Sequence, residues 1–245
     1  MIKPQEYQAR RQRLMDQLAP NSIVIIPSAK EILRNGMDNL FPFRQNSDFW
    51  YLTGFSEPNA VLVLVPGRQA GEFILFNQVK DPKEETWTGI RAGQKGAVSE
   101  YGADQAYAFD EFEGLLPELL CGCERLYYPI ARNQAFDQVI LTAYSQARGQ
   151  VRRGVTAPDQ LLDIESLVHQ MRVIKSPAEL ELMRYANQTS SKAHELAMRA
   201  CKPNMNEYEL EAVFKGYCFS QGCDDMAYTP IVGGGKNGCI LHYID

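Results

Sequence analysis

Apolar residues along this chain follow two rhythms. The first half carries short unbroken runs: "SIVIIPS" (22–28), "NAVLVLVPG" (59–67), "GEFILFNQ" (71–78) and "ERLYYPI" (124–130). Runs of this length, rich in β-branched and aromatic residues and bounded by turn formers, predict strands, and the continuous apolar character of "SIVIIPS" predicts burial on both faces. The turn "PGRQAG" has a suitable length for an antiparallel hairpin between the second and third runs. Helical spacing fills the intervals, over 4–19, about 111–120 and about 132–148. Strand and helix signals mixed in this way predict a mixed α/β domain.

Further along, the rhythm changes to that of helices. Gly154 to Pro158 is turn-like, and "DQLLDIESLVHQMR" reads as a linking helix. "SPAE" at 176–179 is a helix start, with Ser176 as N-cap, Pro177 at the first helical position and Glu179 closing a capping box. After the break at Pro203, Asn206 and Glu209 repeat the signal. Leu210, Val213, Phe214 and Tyr217 then form an i, i+3, i+4, i+7 stripe, with Gly222 placed just past the helix end. The tail "IVGGGKNGCILHYID" is expected to be strand-forming. The division expected is an N-terminal α/β domain over 1–172 and a second unit over 173–245.

Composition narrows the function classes. The chain has 245 residues, is 45% hydrophobic and 22% charged, and carries a net charge of −5. Phosphate binding needs clustered Lys and Arg, so neither nucleic acid nor an anionic membrane is expected as partner. The one basic cluster, Arg10, Arg11 and Arg13, is flanked by Leu14 and Leu18 at helical spacing and is expected to form a solvated helix face. The start has no apolar stretch of a secretory signal, and no run approaches the ~18 apolar residues of a membrane span. Six cysteines fit no zinc-binding spacing and are expected as reduced thiols in the cytoplasm.

Individual chemical signals are sparse. Gly233, Gly235 and Gly238 match G-x-G-x-x-G, but a dinucleotide site needs a helix directly behind the glycines, and "CILHYID" follows instead. A glycine-rich hairpin loop, allowing close backbone approach, is the simpler reading. His242 is either a satisfied core or edge histidine or, because a loop of small residues precedes it, a residue facing a substrate. His169 and His194 lack the partner spacing of a helical metal motif and are expected to be structural. Glu179, Glu181, Glu207, Glu209 and Glu211 are explained by capping and solvation of their helices. Residues 41–64 interleave Arg44, Asn46 and Asp48 with Phe49, Trp50, Tyr51 and Phe55, the composition of a packed wall with a few fixed hydrogen bonds.

Three stretches, in order, are similar to the Xaa-Pro aminopeptidase (aminopeptidase P) family: "FRQNSDFWYLTGFSEPNAVLVL", "MRVIKSPAELELMRYA" and "YTPIVGGGKNGCILHY". The last two are shared with prolidase and creatinase; the first, with "WTGIRAG" (87–93), favours the aminopeptidase. The resemblance implies the family's mixed-sheet N-terminal α/β domain, followed by the beginning of its pita-bread α+β catalytic domain. It implies hydrolysis of the bond before a proline in second position of a peptide, on two divalent metal ions, usually manganese. It places His242 beside the metals as substrate and oxyanion contact, Tyr228 in the pocket lining, and Trp87 and Arg152 at a neighbouring subunit's active site, so that a homo-oligomer, dimer or tetramer, is implied. The family's metal ligands all lie downstream of the stretch matching "GCILHY". No ligand set is therefore assigned, and the chain alone is expected to bind no metal and to be inactive. Two alternatives remain: a non-catalytic peptide- or protein-binding module of the same fold, and a prolidase acting on dipeptides.

Overall fold

The computed structural model describes residues 2–244, which form two units, Ile2–Ile174 and the segment from Lys175 onward. In the first unit the elements are α1 (Pro4–Met15), β1 (Ser22–Pro27), β2 (Leu33–Asn35), β3 (Asn39–Leu40), α2 (Ser47–Thr53), β4 (Val61–Leu64), β5 (Phe73–Asn77), α3 (Pro82–Thr88), α4 (Gly93–Ser99), β6 (Gln105–Ala108), α5 (Phe112–Leu120), β7 (Arg125–Tyr128), α6 (Gln134–Gly149), β8 (Gln160–Asp163) and α7 (Glu165–Val173). Strands β2 and β3 make a separate small hairpin; the others form one sheet in the order β6-β5-β4-β1-β7-β8. Pairs β1–β4 and β4–β5 are antiparallel, whereas β1–β7, β7–β8 and β5–β6 are parallel.

Strand pleating explains the unbroken apolar runs. In β1, Val24 and Ile26 join one core and Ile23 and Ile25 the other; β4 and β5 divide in the same way. Helices α1, α2, α4 and α7 cover the first face, through residues such as Leu14, Leu52, Ala97 and Val168. Helices α5 and α6 cover the second, through Phe112, Leu116, Ile140 and Ala147. Each fully buried side chain of this size contributes about 1.5–3 kcal/mol, so a sheet clad on both sides is the main source of this unit's stability.

Two of the three arginines of α1 correct the expectation of a solvated face, while Arg13 stays exposed. Tyr7, Arg10, Arg11 and Leu14 are the helix's buried residues. The Arg10 and Arg11 guanidiniums donate to the carbonyls of Tyr51 (3.1 Å) and Leu52 (2.9 Å), at the last turn of α2. Arg10 also stacks on the Tyr51 ring and Arg11 on Phe73. A planar, weakly hydrated cation that caps carbonyls and covers rings can be buried where a lysine could not. Desolvation lowers the Arg11 pKa to about 10, partly offset by Asp104. The expected linking helix over 159–172 is also corrected: "QLLD" pairs in parallel with β7 as edge strand β8, and the helix begins only at Glu165.

The second unit contains α8 (Pro177–Ala200) and α9 (Glu207–Ser220), followed by an irregular tail with a 3-10 turn at Gly235–Cys239. At the start of α8, Ser176 Oγ accepts from Glu179 N and Glu179 accepts from Ser176 N. At the start of α9, Glu209 accepts from Asn206 N, and the helix leaves through Gly222 at φ +81°. The strand expected in the tail does not form among the described residues, because a strand needs a hydrogen-bonded neighbour; the backbone closes locally instead, with Asn237 N donating to Gly234 O and Ile240 N to Asn237 O. Among the described residues no helix is long and apolar enough to cross a membrane.

Candidate functional site

Beyond that local closure, the tail is tied to α9 by a single carboxylate. Glu207 opens α9, where capping alone would leave it pointing into solvent. Instead its Oε1 accepts from Gly234 N and from Asn237 Nδ2 at 3.1 Å, and its Oε2 accepts from Tyr243 Oη at 2.9 Å. The Gly234 N–H, then Asn237, then Tyr243 hold its pKa below the usual carboxylate range, because every donor favours the charged form. Two of the glycines are required by geometry. A Cβ on Gly233 would lie 2.9 Å from backbone atoms of Asn237 and Gly238, and Gly235 has φ +53°. The loop therefore folds its own backbone into close contact.

His242 follows this loop. It is exposed, between exposed Leu241 and half-buried Tyr243, and its ring makes no hydrogen bond to a described residue. Both imidazole nitrogens are thus available to a ligand. Tyr228 lies earlier in the tail and is 75% exposed. His194, by contrast, is built into the helix pair: its Nδ1 lies 2.9 Å from Ser190 O and its ring meets Phe214 edge-on at 4.7 Å.

In the first unit, Trp87 stands at the end of α3, a helix that buries no residue, and is 88% exposed. The segment behind it is tied back by backbone donors: Arg91 N to Glu85 Oε1 (2.9 Å) and Ala92 N to Glu57 Oε1 (2.6 Å). Arg152 is exposed on a 3-10 turn that ends at Gly154 in the left-handed region. The four residues singled out in the sequence thus fall two in each unit, all on the surface.

Sequence spacing did not bring together Asp48, Glu165 and His169. Their potential ligand atoms lie within 4.8 Å of one another, the one such group of three among the described residues. Asp48 bonds His169 Nε2 at 3.1 Å and the Arg172 guanidinium, and Glu165 receives Arg132 through two nitrogens. Arg132, above all by hydrogen bonding, draws the Glu165 pKa down. Asp48 and Glu165, but not His169, border an open crevice of about 520 Å³ beyond the carboxyl ends of β1 and β7, with Pro27, Ser28, Arg44 and Asn133 among its walls. The sequence signal was weak, since 48 and 165 are far apart in the chain and meet only because α2 and α7 pack on one sheet face.

Residues 7–127 match the family described as aminopeptidase P, N-terminal domain, and residues 181–245 match metallopeptidase family M24. The chain carries an aminopeptidase P N-terminal region followed by the start of an M24 domain. Over 245 residues it is 41% identical to an Xaa-Pro aminopeptidase of Escherichia coli strain K12, covering 100% of this chain and 55% of that protein. It superposes on Pseudomonas aeruginosa aminopeptidase PepP with a TM-score of 0.96 and 43% identity, over 99% of this chain and 55% of that one. Against a zinc-substituted E. coli aminopeptidase P in complex with product, the TM-score is 0.94 at 41% identity, again over 99% and 55%. The chain spans about half the length of these relatives. The α/β fold class, and the order of aminopeptidase P N-terminal region then M24 start, agree with the sequence expectation.

A metallopeptidase family raises the question of a metal centre. The donors present do not fit one. Asp48 and Glu165 are already neutralised by Arg172 and Arg132, whose cationic heads would oppose a divalent ion. From residue 175 to 244, no group of three His, Cys, Asp or Glu gathers among the described residues.

Proposed function

We propose that this chain is part of an Xaa-Pro aminopeptidase that releases the N-terminal residue from peptides with proline in second position. The observation that carries the reading is the match of the whole chain to Xaa-Pro aminopeptidases at 41% identity, including the segment that presents His242. In this reading the metal ions, taken to be manganese, supply the activated water. Their ligands belong to the part of the relatives that this chain does not span, and the 245 residues alone are inactive.

The chain's own residues supply recognition. His242 donates an imidazole N–H to the oxygen of the scissile carbonyl, where charge develops; a prealigned donor there lowers the barrier by a few kcal/mol, about 2.7–4 for a well-placed one. Its exposed, unbonded ring supports that role. Tyr228 lines the same pocket. Trp87 and Arg152 reach a neighbouring subunit's site in a cytoplasmic homo-oligomer, which their exposure allows.

The test offers Arg-Pro-Pro with manganese to the intact protein and, separately, to this chain. Arginine release by the intact protein alone is expected. Release by the chain alone would overturn the assignment of ligands elsewhere. Absence of release by the intact protein would overturn the aminopeptidase reading, and cleavage of Gly-Pro in preference to the longer peptide would replace it with a dipeptidase.

A further inference from the structure

Glu207 makes contacts that helix capping does not require. A carboxylate at the first helical position is favoured by the helix dipole, but exposure to solvent would satisfy it there. Here both oxygens are turned toward the tail, 27 to 36 residues away in sequence, and they gather a backbone N–H and an amide from within the glycine loop and a phenol from beyond it. The first two contacts hold the turn at Gly234 and Asn237; the third holds Tyr243, the residue next to His242. Adjacent residues of an irregular segment share their backbone, so fixing the Tyr243 side chain restricts where the His242 ring can point.

We propose that Glu207 is a positioning residue: by clamping the 234–237 turn and Tyr243 to the start of α9, it sets the place of His242. This rests on the aminopeptidase reading for its kinetic consequence, and on the loop geometry for the clamp itself. Glu207 touches no reacting atom. It acts through His242, so its removal should lower the rate of the chemical step rather than weaken peptide binding.

The experiment uses the intact protein and the variants Glu207→Ala, Glu207→Gln, Tyr243→Phe and His242→Ala. Glu207→Ala is expected to lower kcat by about 10- to 100-fold with KM within about twofold, the scale of a misplaced catalytic group. Glu207→Gln keeps one acceptor oxygen, and Tyr243→Phe removes only the Oε2 contact, so both should fall between the wild type and Glu207→Ala. In the His242→Ala background, Glu207→Ala should cost less than about twofold more, because groups acting as one unit are not additive. Full additivity of the two losses, or an unchanged kcat in the Glu207 variants, would overturn the positioning role. Amide exchange at Gly234 is read independently of turnover: Glu207→Ala should speed it, and unchanged protection would overturn the clamp. If the wild type shows no turnover, the aminopeptidase reading has failed while exchange at Gly234 still decides the clamp.

Discussion

Glu57 carries a carboxylate into the wall between the sheet and the loop behind Trp87. Its Oε1 accepts from Ala92 N, while its Oε2 is buried with no hydrogen-bond partner among the described residues. Burial raises its pKa; the Ala92 N–H and Arg91 oppose the rise without cancelling it. The folded chain therefore holds this proton more tightly than the unfolded chain. Stability from this group is greatest where both states are protonated, and it declines as pH climbs from the ordinary carboxyl value through the raised one. Glu57→Gln should flatten that part of the profile, read by urea unfolding at a series of pH values from about 4 to 8; an unaltered slope would refute the assignment. Not all such detail could be read from the sequence. The buried stripe of α1 is Tyr7, Arg10, Arg11 and Leu14, a regular i, i+3, i+4, i+7 set. The helical period was visible, but two of its members are charged, and what turns them inward, the carbonyls of α2 and the rings of Tyr51 and Phe73, is remote in sequence. Glu207 was hidden for a similar reason: its partners are remote in sequence, and a first-turn glutamate already has a local explanation.

At the scale of elements, the join between α1 and α2 depends on Gly54. This residue ends α2 at φ +66°, and a Cβ there would lie 2.6 Å from the Tyr7 ring. Gly54→Ala should therefore cost the left-handed penalty of about 1–2 kcal/mol plus the displacement of Tyr7 from the α1 stripe. Gly67→Ala is the matched control, since Gly67 has φ +79° with open space around its would-be Cβ. The difference between their urea unfolding free energies isolates the contact; equal losses would mean that Tyr7 yields freely. The elements that were legible had strong punctuation: the β4–β5 hairpin, the Ser176-Pro177 start of α8 and Gly222 after α9. Those that were missed are short or lie at edges. β6 and β8 have four residues each, and their strand state comes from pairing in parallel with β5 and β7 rather than from local pattern. The tail failed in the opposite sense. "CILHY" has strand composition, yet composition cannot supply a neighbouring strand, and Glu207 draws the segment toward α9.

Across the whole molecule the two units differ in how much apolar surface they hide. The first buries complete strands: Ile23 to Ile26, Val61 to Leu64 and Phe73 to Phe76 are all nearly inaccessible. In the second, Ala193 and Cys218 are the buried apolar residues among those described, while Leu182, Met183, Met198, Phe219 and Leu241 are exposed. Hydrophobic burial scales with area removed from water, so helices with so little covered surface open at lower free energy than the clad sheet. Dilute solutions of this chain should show amides of β1, β4 and β5 exchanging at the rate of global unfolding, and those of α8 and α9 at least about tenfold faster, a gap of roughly 1.4 kcal/mol. Apolar side chains left in water should also promote contact between copies. Raising the concentration should therefore slow exchange in α8 and α9 while leaving the central strands unaltered, with a parallel increase in sedimentation coefficient. Equal protection of both units in a monomer would mean that the helix pair is stable without further cover, contrary to what its exposed face implies.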